Sequence, residues 1–347
     1  MSQGLDKDGI ETSTIVGIDE AGYGPLLGPM VVSAVAFDVP IAVLKEVKSA
    51  AEGPDLWALL RASITRKVGK RDPRLAVVDS KKLYGRGGIG LLERAALSFC
   101  WQITRPGGSR QDGNSPGSLR ALLDMVCPRV INQLQDYPWY IDGDVELPVK
   151  CSHDDMTTQH NALSTDLSAT GIQFRGVWVE VLPAGQFNRL VEATRNKAVV
   201  LFGQCSRLIQ QIADAVGPRP LRIWVDRHGG RIRYHRQLMN AFEGARLDIL
   251  EESPDRSSYR LTHPDTPRMI RFVRNGEEHH LPVALASIFS KYIRELFMVC
   301  FNRYWTHHVP GLRPTAGYYQ DGLRFLEDIG AVINRQHVDR QWLVRNI

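Results

Sequence analysis

Two apolar runs, residues 14–18 and 30–37, flank the turn-rich segment Ala21-Gly22-Tyr23-Gly24-Pro25. Apolar runs closing on glycine and proline predict a strand, a tight loop and a second strand. This pairing constrains everything after it, because the first run ends on two acids, Asp19 and Glu20, set just before the glycines.

Further along, strand and helix patterns alternate. Residues 41–70 carry helical periodicity, 75–78 a short strand ending at Asp79-Ser80-Lys81-Lys82, and 91–100 a helix. Residues 177–181 predict a strand, 187–216 one long helix, and 221–225 a strand ending at Asp226. Residues 247–251, 258–261 and 269–273 suit an antiparallel sheet, with Asn275-Gly276 as a turn signal. Residues 284–304 form a helix, and one or two more follow. Such alternation argues for an α/β fold. Between 105 and 171 the character changes: Arg105-Pro106-Gly107-Gly108-Ser109 and Gly113-Asn114-Ser115-Pro116-Gly117 are loop signals, 119–134 looks helical and 151–170 is polar. The expected organisation is a flexible stretch 1–13, a main domain of 14–104 plus 172–347, and an insertion at 105–171.

The net charge of +5 fits a polyanionic partner, since Lys and Arg release counterions from phosphates. The bases are also clustered. Arg61, Arg66, Lys67, Lys70, Arg71 and Arg74 form one group, and Arg219, Arg222, Arg227, Arg231, Arg233 and Arg236 another. Five scattered cysteines without zinc spacing point away from a disulfide framework and toward a reducing compartment. No apolar run is long enough for a membrane span, and Met1-Ser2-Gln3-Gly4 does not open a signal peptide. The expectation is a cytoplasmic protein, monomeric by default.

Four acids stand where chemistry is easily built. Asp19 and Glu20 close one apolar strand, Asp226 closes another, and Glu295 lies on the helix 284–304. Carboxylates at strand ends can converge at one edge of a sheet. Within a strand Asp19 and Glu20 point to opposite faces, so sharing a site needs a bend. Ser287, Lys291 and Glu295, spaced by four, form one polar stripe on a helix that is otherwise largely apolar. Each of these acids could equally cap a loop or pair with a local base.

Several of these segments together resemble the type 2 ribonucleases H (the ribonuclease HII/HIII family). Gly17-Ile18-Asp19-Glu20-Ala21-Gly22-Tyr23-Gly24-Pro25-Leu26-Leu27-Gly28-Pro29 resembles the family's first motif, and Asp79-Ser80-Lys81-Lys82-Leu83 its second. Ile223-Trp224-Val225-Asp226 sits where the family has its third acid. Ala286-Ser287-Ile288-Phe289-Ser290-Lys291-Tyr292-Ile293-Arg294-Glu295 resembles a helix motif read as supplying the fourth. Gly317-Tyr318 and Phe187-Asn188 also fit, and the motifs occur in family order.

The resemblance implies a ribonuclease H-like mixed sheet flanked by helices, here with an insertion and extra C-terminal helices. It implies an endonuclease that cuts the RNA strand of RNA–DNA hybrids, leaving 5′-phosphate and 3′-hydroxyl ends. Two divalent ions, Mg²⁺ or Mn²⁺, would be held by Asp19, Glu20, Asp226 and Glu295, with Asp19 bridging. Oxygen ligands suit such ions. Gly22, Tyr23 and Gly24 would approach the 2′-hydroxyl that separates RNA from DNA. Ser80, Lys81, Lys82, Ser287, Lys291 and Tyr318 complete the expected substrate contacts.

Two positions depart from the pattern. Tyr23 stands where the family usually has Arg, which puts cleavage at single embedded ribonucleotides in doubt. Glu295 stands where Asp is usual, displacing a carboxylate by about 1.5 Å and predicting a relative gain with Mn²⁺. The competing readings are a hybrid-binding protein with weakened catalysis and a DNA-directed nuclease of the same superfold.

Overall fold

The computed structural model describes residues 11–45, 53–69, 72–103, 115–141, 143–262 and 266–346. Seven strands make the main sheet: β1 (Thr12–Ala21), β2 (Met30–Pro40), β3 (Gln173–Leu182), β4 (Leu221–Asp226), β5 (Arg246–Glu252), β6 (Arg256–Thr262) and β7 (Pro267–Val273). Their order is β3-β2-β1-β4-β7-β6-β5. β1, β2 and β3 pair antiparallel, and β1, β4 and β7 run parallel side by side. The antiparallel β6 and β5 complete the sheet. The result is a mixed sheet flanked by helices, as the sequence implies.

Among the helices, those that position the site are α1 (Ser80–Gly87), α2 (Ile89–Trp101), α3 (His153–Thr170), α4 (Ala184–Thr194), α5 (Lys197–Val216) and α6 (Leu281–His308). Side chains alternate across the strands, so each face of the sheet has its own core. Val16, Ile18, Val32, Ile223, Val225 and Phe272 bury against α5 on one face. Ile15, Val31, Val35, Phe37 and Trp224 bury with Ile288, Phe289 and Leu296 of α6 and with residues of α2 on the other. α6 lies so close to β1 that a Cβ on Gly17 would overlap the backbone of Pro282 and Val283. Glycine there is what lets the helix run directly along the strand.

The described part of 115–171 shares this core. Leu119, Leu122, Tyr137, Trp139, Leu163 and Leu167 belong to the same apolar cluster as Phe37 and Phe289. Glu93 of α2, fully buried, ties the segment down: its carboxylate accepts from the N–H groups of Val149 (2.6 Å), Lys150 (2.7 Å) and Cys151 (2.9 Å) and from the Tyr292 hydroxyl (3.0 Å).

Several boundaries differ from expectation. β1 begins at Thr12, because Thr12 and Ser13 already pair with Pro40 and Val39. Among the described residues, the helical periodicity of 41–70 yields Ile41–Lys45 and Leu56–Leu59, followed by a two-residue strand Ile64–Thr65 paired with Leu75–Ala76. Asp55 starts the second of these helices by accepting from the N–H groups of Trp57 and Ala58. The long helix expected at 187–216 is two: Arg195 takes a left-handed backbone (φ 52°) and Asn196 caps α5 by accepting from Ala198. The stretch 119–134 likewise breaks into Leu119–Val126 and Val130–Gln133, on either side of Cys127-Pro128. The antiparallel strands of 246–273 extend the main sheet, and Asn275 (φ 52°) starts a short helix, Gly276–His279, in place of a hairpin turn. Residues 1–10, 104–114, Lys70 and Arg71 lie outside the described residues. Among the described residues, no helix is long and apolar enough to cross a membrane.

Candidate active site

β1 and β4 are parallel neighbours with Ile18 opposite Val225, so Asp19 and Asp226 follow side by side at the same end of the two strands. β4 and β7 are parallel neighbours too, with Asp226 opposite Val273, so the chain after β7 emerges at the same edge. There the Gly276 N–H donates to Asp226 Oδ1 (2.8 Å). Glu277, next in sequence, forms a side-chain hydrogen bond with Asp226. Asp19, Glu20, Asp226 and Glu277 are thus gathered by three adjacent parallel strands.

Their electrostatics show how closely they interact. Burial holds the Asp19 carboxyl well above its ordinary range, and the charges of Glu20 and Asp226 add to the effect. Burial, then Asp226, pushes Glu20 up to about 7. Glu277 also rises to about 7, through burial first and Asp226 next. Burial raises Asp226 as well, against the hydrogen bond from Gly276. The charge of Lys81 opposes the rise at both Glu20 and Asp226.

α6 passes along β1 and delivers its polar stripe in sequence. Ser287 hydrogen-bonds the Asp19 side chain and also the Ser80 hydroxyl (2.9 Å). Ser290 bonds the Asp19 carbonyl (3.0 Å) and Ser33 (2.9 Å). Ser80 opens α1, where Asp79 caps the helix by accepting from the Lys82 N–H (2.8 Å). Lys82 pairs with Glu278 (2.7 Å).

Glu295 is placed elsewhere. It lies eight residues beyond Ser287, about 12 Å along the helix. Its carboxylate is closed on Lys291 (2.6 Å) and Arg294 (3.5 Å), and it hydrogen-bonds Tyr84. The structure therefore does not bring Glu295 to the other three acids, and Glu277 stands at that edge in its place. A Mn²⁺ gain from the longer Glu295 side chain loses its geometric premise. The rule that picked Asp19 and Asp226, an acid just past an apolar strand, also picks Glu277 once 267–273 is recognised as an inner strand.

The first turn is equally defined. Gly22 has φ 80°, and a Cβ on it would crowd the Pro29 carbonyl and the Arg294 side chain. A Cβ on Gly24 would meet nothing within 4 Å, so this part of the turn is open. Tyr23 is half-buried, with the Lys197 ammonium 5.1 Å from its ring centre. The Gly317 carbonyl accepts from Leu26 (2.8 Å) and Leu27 (3.0 Å), which holds the exposed Tyr318 next to the turn. From Glu277 an open groove runs past Asp79, Lys81, Lys82 and Arg86 to Trp57, Arg66 and Lys67. The Arg66 guanidinium lies 3.9 Å over the Trp57 ring.

The donor set suits a hard divalent cation. It is all oxygen, and its members resist ionising beside one another, a resistance that an added positive charge removes. Among the described residues no group of three or more acid, histidine or cysteine side chains is arranged to hold a metal ion.

No family model matches the chain. The ribonuclease HII of Maricaulis maris (strain MCS10) is 40% identical over 77 residues, 21% of this chain and 35% of that relative. The chain thus spans about a third of the length of the curated relative it matches. Among solved structures, Bst ribonuclease HIII in complex with Mn²⁺ is 14% identical, with 96% of this chain and 66% of that one covered and a TM-score of 0.42. Ribonuclease H2 of Pyrococcus horikoshii OT3 is 12% identical, with 95% and 92% covered and a TM-score of 0.38.

Proposed function

We propose that this chain, a type 2 ribonuclease H-like protein, is a metal-dependent endonuclease that hydrolyses the RNA strand of RNA–DNA hybrids. The observation that carries the reading is the gathering of Asp19, Glu20, Asp226 and Glu277 at one sheet edge with their ionisation opposed. A site for a neutral ligand gains nothing from such crowding, and a phosphate alone would be repelled by it. Two divalent ions, Mg²⁺ or Mn²⁺, supply an activated water and stabilise the leaving oxygen when bound. Asp19, Glu20, Asp226 and Glu277 would hold the ions.

The remaining residues hold and select the strand. Lys81 balances the acids' charge and, with Lys82, meets phosphates. Gly22, Tyr23 and Gly24 present backbone to the 2′-hydroxyl, which Gly24 allows because nothing stands beside its Cα. Tyr318, 53% exposed, packs on a sugar next to the cut. Ser80 and Ser287 orient Asp19 through their shared hydrogen bond. Lys291 and Glu295 form an ion pair that supports Arg294 beneath the turn. The products carry 5′-phosphate and 3′-hydroxyl ends.

The test offers purified protein an RNA–DNA hybrid, a duplex with one ribonucleotide and plain double-stranded DNA, each with Mg²⁺ or Mn²⁺. The hybrid is cut, and the single ribonucleotide is cut poorly because Tyr23 lacks a guanidinium. Asp19→Asn and Glu277→Gln each reduce cutting by more than about a hundredfold, since even outer partners of metal ligands are worth up to that much. Glu295→Gln keeps most of the activity. Cutting that survives Asp19→Asn removes the mechanism. Loss in Glu295→Gln with none in Glu277→Gln returns the fourth ligand to Glu295.

A further inference from the structure

The carbonyl groups of the Gly22–Gly24 turn are held by a residue more than three hundred positions away. The guanidinium of Arg345 donates to the Gly22 carbonyl and to the Tyr23 carbonyl (3.1 Å). It lies over the Phe187 ring, 4.0 Å from its centre, and is only 2% exposed. Its own backbone N–H donates to the Leu26 carbonyl (3.0 Å), and Val344 bridges to Leu27. Asn188 fastens the segment from below, donating to the carbonyls of Gln341 (2.8 Å) and Val344 (2.7 Å) and accepting from the Asn346 N–H (2.7 Å). On the opposite side of the turn Arg294 donates to the carbonyls of Leu27 (3.3 Å) and Ala316 (3.0 Å).

For stability alone this is a poor use of an arginine. Among the described residues no carboxylate forms an ion pair with Arg345, and its Nε has no hydrogen-bond partner. Burial and the nearby charge of Arg294 push it down to about 9. A buried cation without a counter-charge is costly. What it achieves is directional. A trans peptide points its C=O and N–H in opposite directions. The peptides whose carbonyls face Arg345 are the ones that carry the N–H groups of Tyr23 and Gly24. Those two donors are turned away from the arginine, and neither makes a hydrogen bond within the described residues.

We propose that Arg345 is a positioning residue: it fixes the Gly22–Gly24 turn so that the N–H groups of Tyr23 and Gly24 face the bound strand, and so sets discrimination between RNA and DNA. This role rests on the reading of the turn as the substrate-sensing element. The arginine itself touches no substrate.

The experiment uses the full chain with Asp19→Asn, so that binding is read without cutting. Equilibrium binding is measured for an RNA–DNA hybrid and for a DNA duplex of the same sequence, with Arg345 intact, as Arg345→Lys and as Arg345→Ala. Lysine keeps the charge but loses the planar fork that reaches two carbonyls. The expected result is a fall of at least about tenfold in the preference for hybrid in Arg345→Lys, the scale of one or two hydrogen bonds, with DNA binding and the melting transition little changed. Hydrogen exchange at the Tyr23 and Gly24 amides should change in the same variant, which reports the turn even if Arg345→Ala fails to fold. An unchanged preference, or equal losses for hybrid and DNA, overturns the positioning role. Failure of the unsubstituted protein to cut hybrid overturns the proposed function, a separate outcome read in a separate assay.

Discussion

At the scale of single residues, the acids at the sheet edge make stability depend on pH. Glu20 and Glu277 rise from 4.5 to about 7 on folding. In metal-free protein the folded state then keeps protons that the unfolded chain has released. Stability is highest below the unfolded value and falls as pH climbs through the interval from 4.5 to about 7. Melting temperatures of metal-stripped protein across that interval should slope downward, the slope should flatten in Asp226→Asn, whose charge raises both groups, and saturating divalent ion should remove it. A slope that Asp226→Asn leaves untouched would show that the acids do not oppose one another. Three of the four acids were legible in the sequence because they end, or directly follow, apolar strands. Glu277 was not, because it follows a strand whose pattern reads equally well as a peripheral hairpin. The stripe on α6 was legible as a stripe, but sequence spacing does not say where along it the acids sit. Ser287 reaches Asp19, while Lys291 and Glu295 close on each other.

At the scale of elements, β1, β2, β4 and α6 were readable because their apolar runs are pronounced. The breaks were harder. Arg195-Asn196 divides a continuous helical pattern through a backbone conformation that most residues avoid, and periodicity alone does not register it. The packing of residues 115–171 on the core was also hidden, since their apolar residues do not say which face they meet and one buried acid fastens part of the segment. Glu93 accepts four hydrogen bonds from donors on two other elements. Glu93→Ala strands several buried donors and should lower stability by about 3 kcal/mol, measured by urea unfolding, with Glu93→Gln intermediate. A loss under about 1 kcal/mol would mean that water replaces the carboxylate freely.

At the scale of the whole molecule, the first basic cluster gains a direction. The short pairing of Ile64–Thr65 with Leu75–Ala76 carries Arg66 and Lys67 to the groove that ends at Glu277. Strands of two residues leave no pattern to read, so the charges are visible in the sequence but their destination is not. The second cluster divides: Arg219 pairs with Asp38 at the far end of β2, while Arg231 lies beside Tyr234. If the groove seats a phosphate backbone, Arg66→Ala, Lys67→Ala and Arg86→Ala should each reduce the slope of log binding constant against log salt by about 0.9, the share of one neutralised phosphate. Titrations of hybrid with Asp19→Asn protein at several salt concentrations measure this, and an unaltered slope in the triple variant would place the backbone elsewhere.

The parallel contact of β1 with β4 sets Thr14 beside Leu221. Everything between them must be synthesised before the two can meet, and Glu277 comes later still. A chain still emerging from the ribosome therefore carries Asp19 and Glu20 without the partners they meet in the folded protein. The acidic edge is complete only when the second half of the polypeptide arrives.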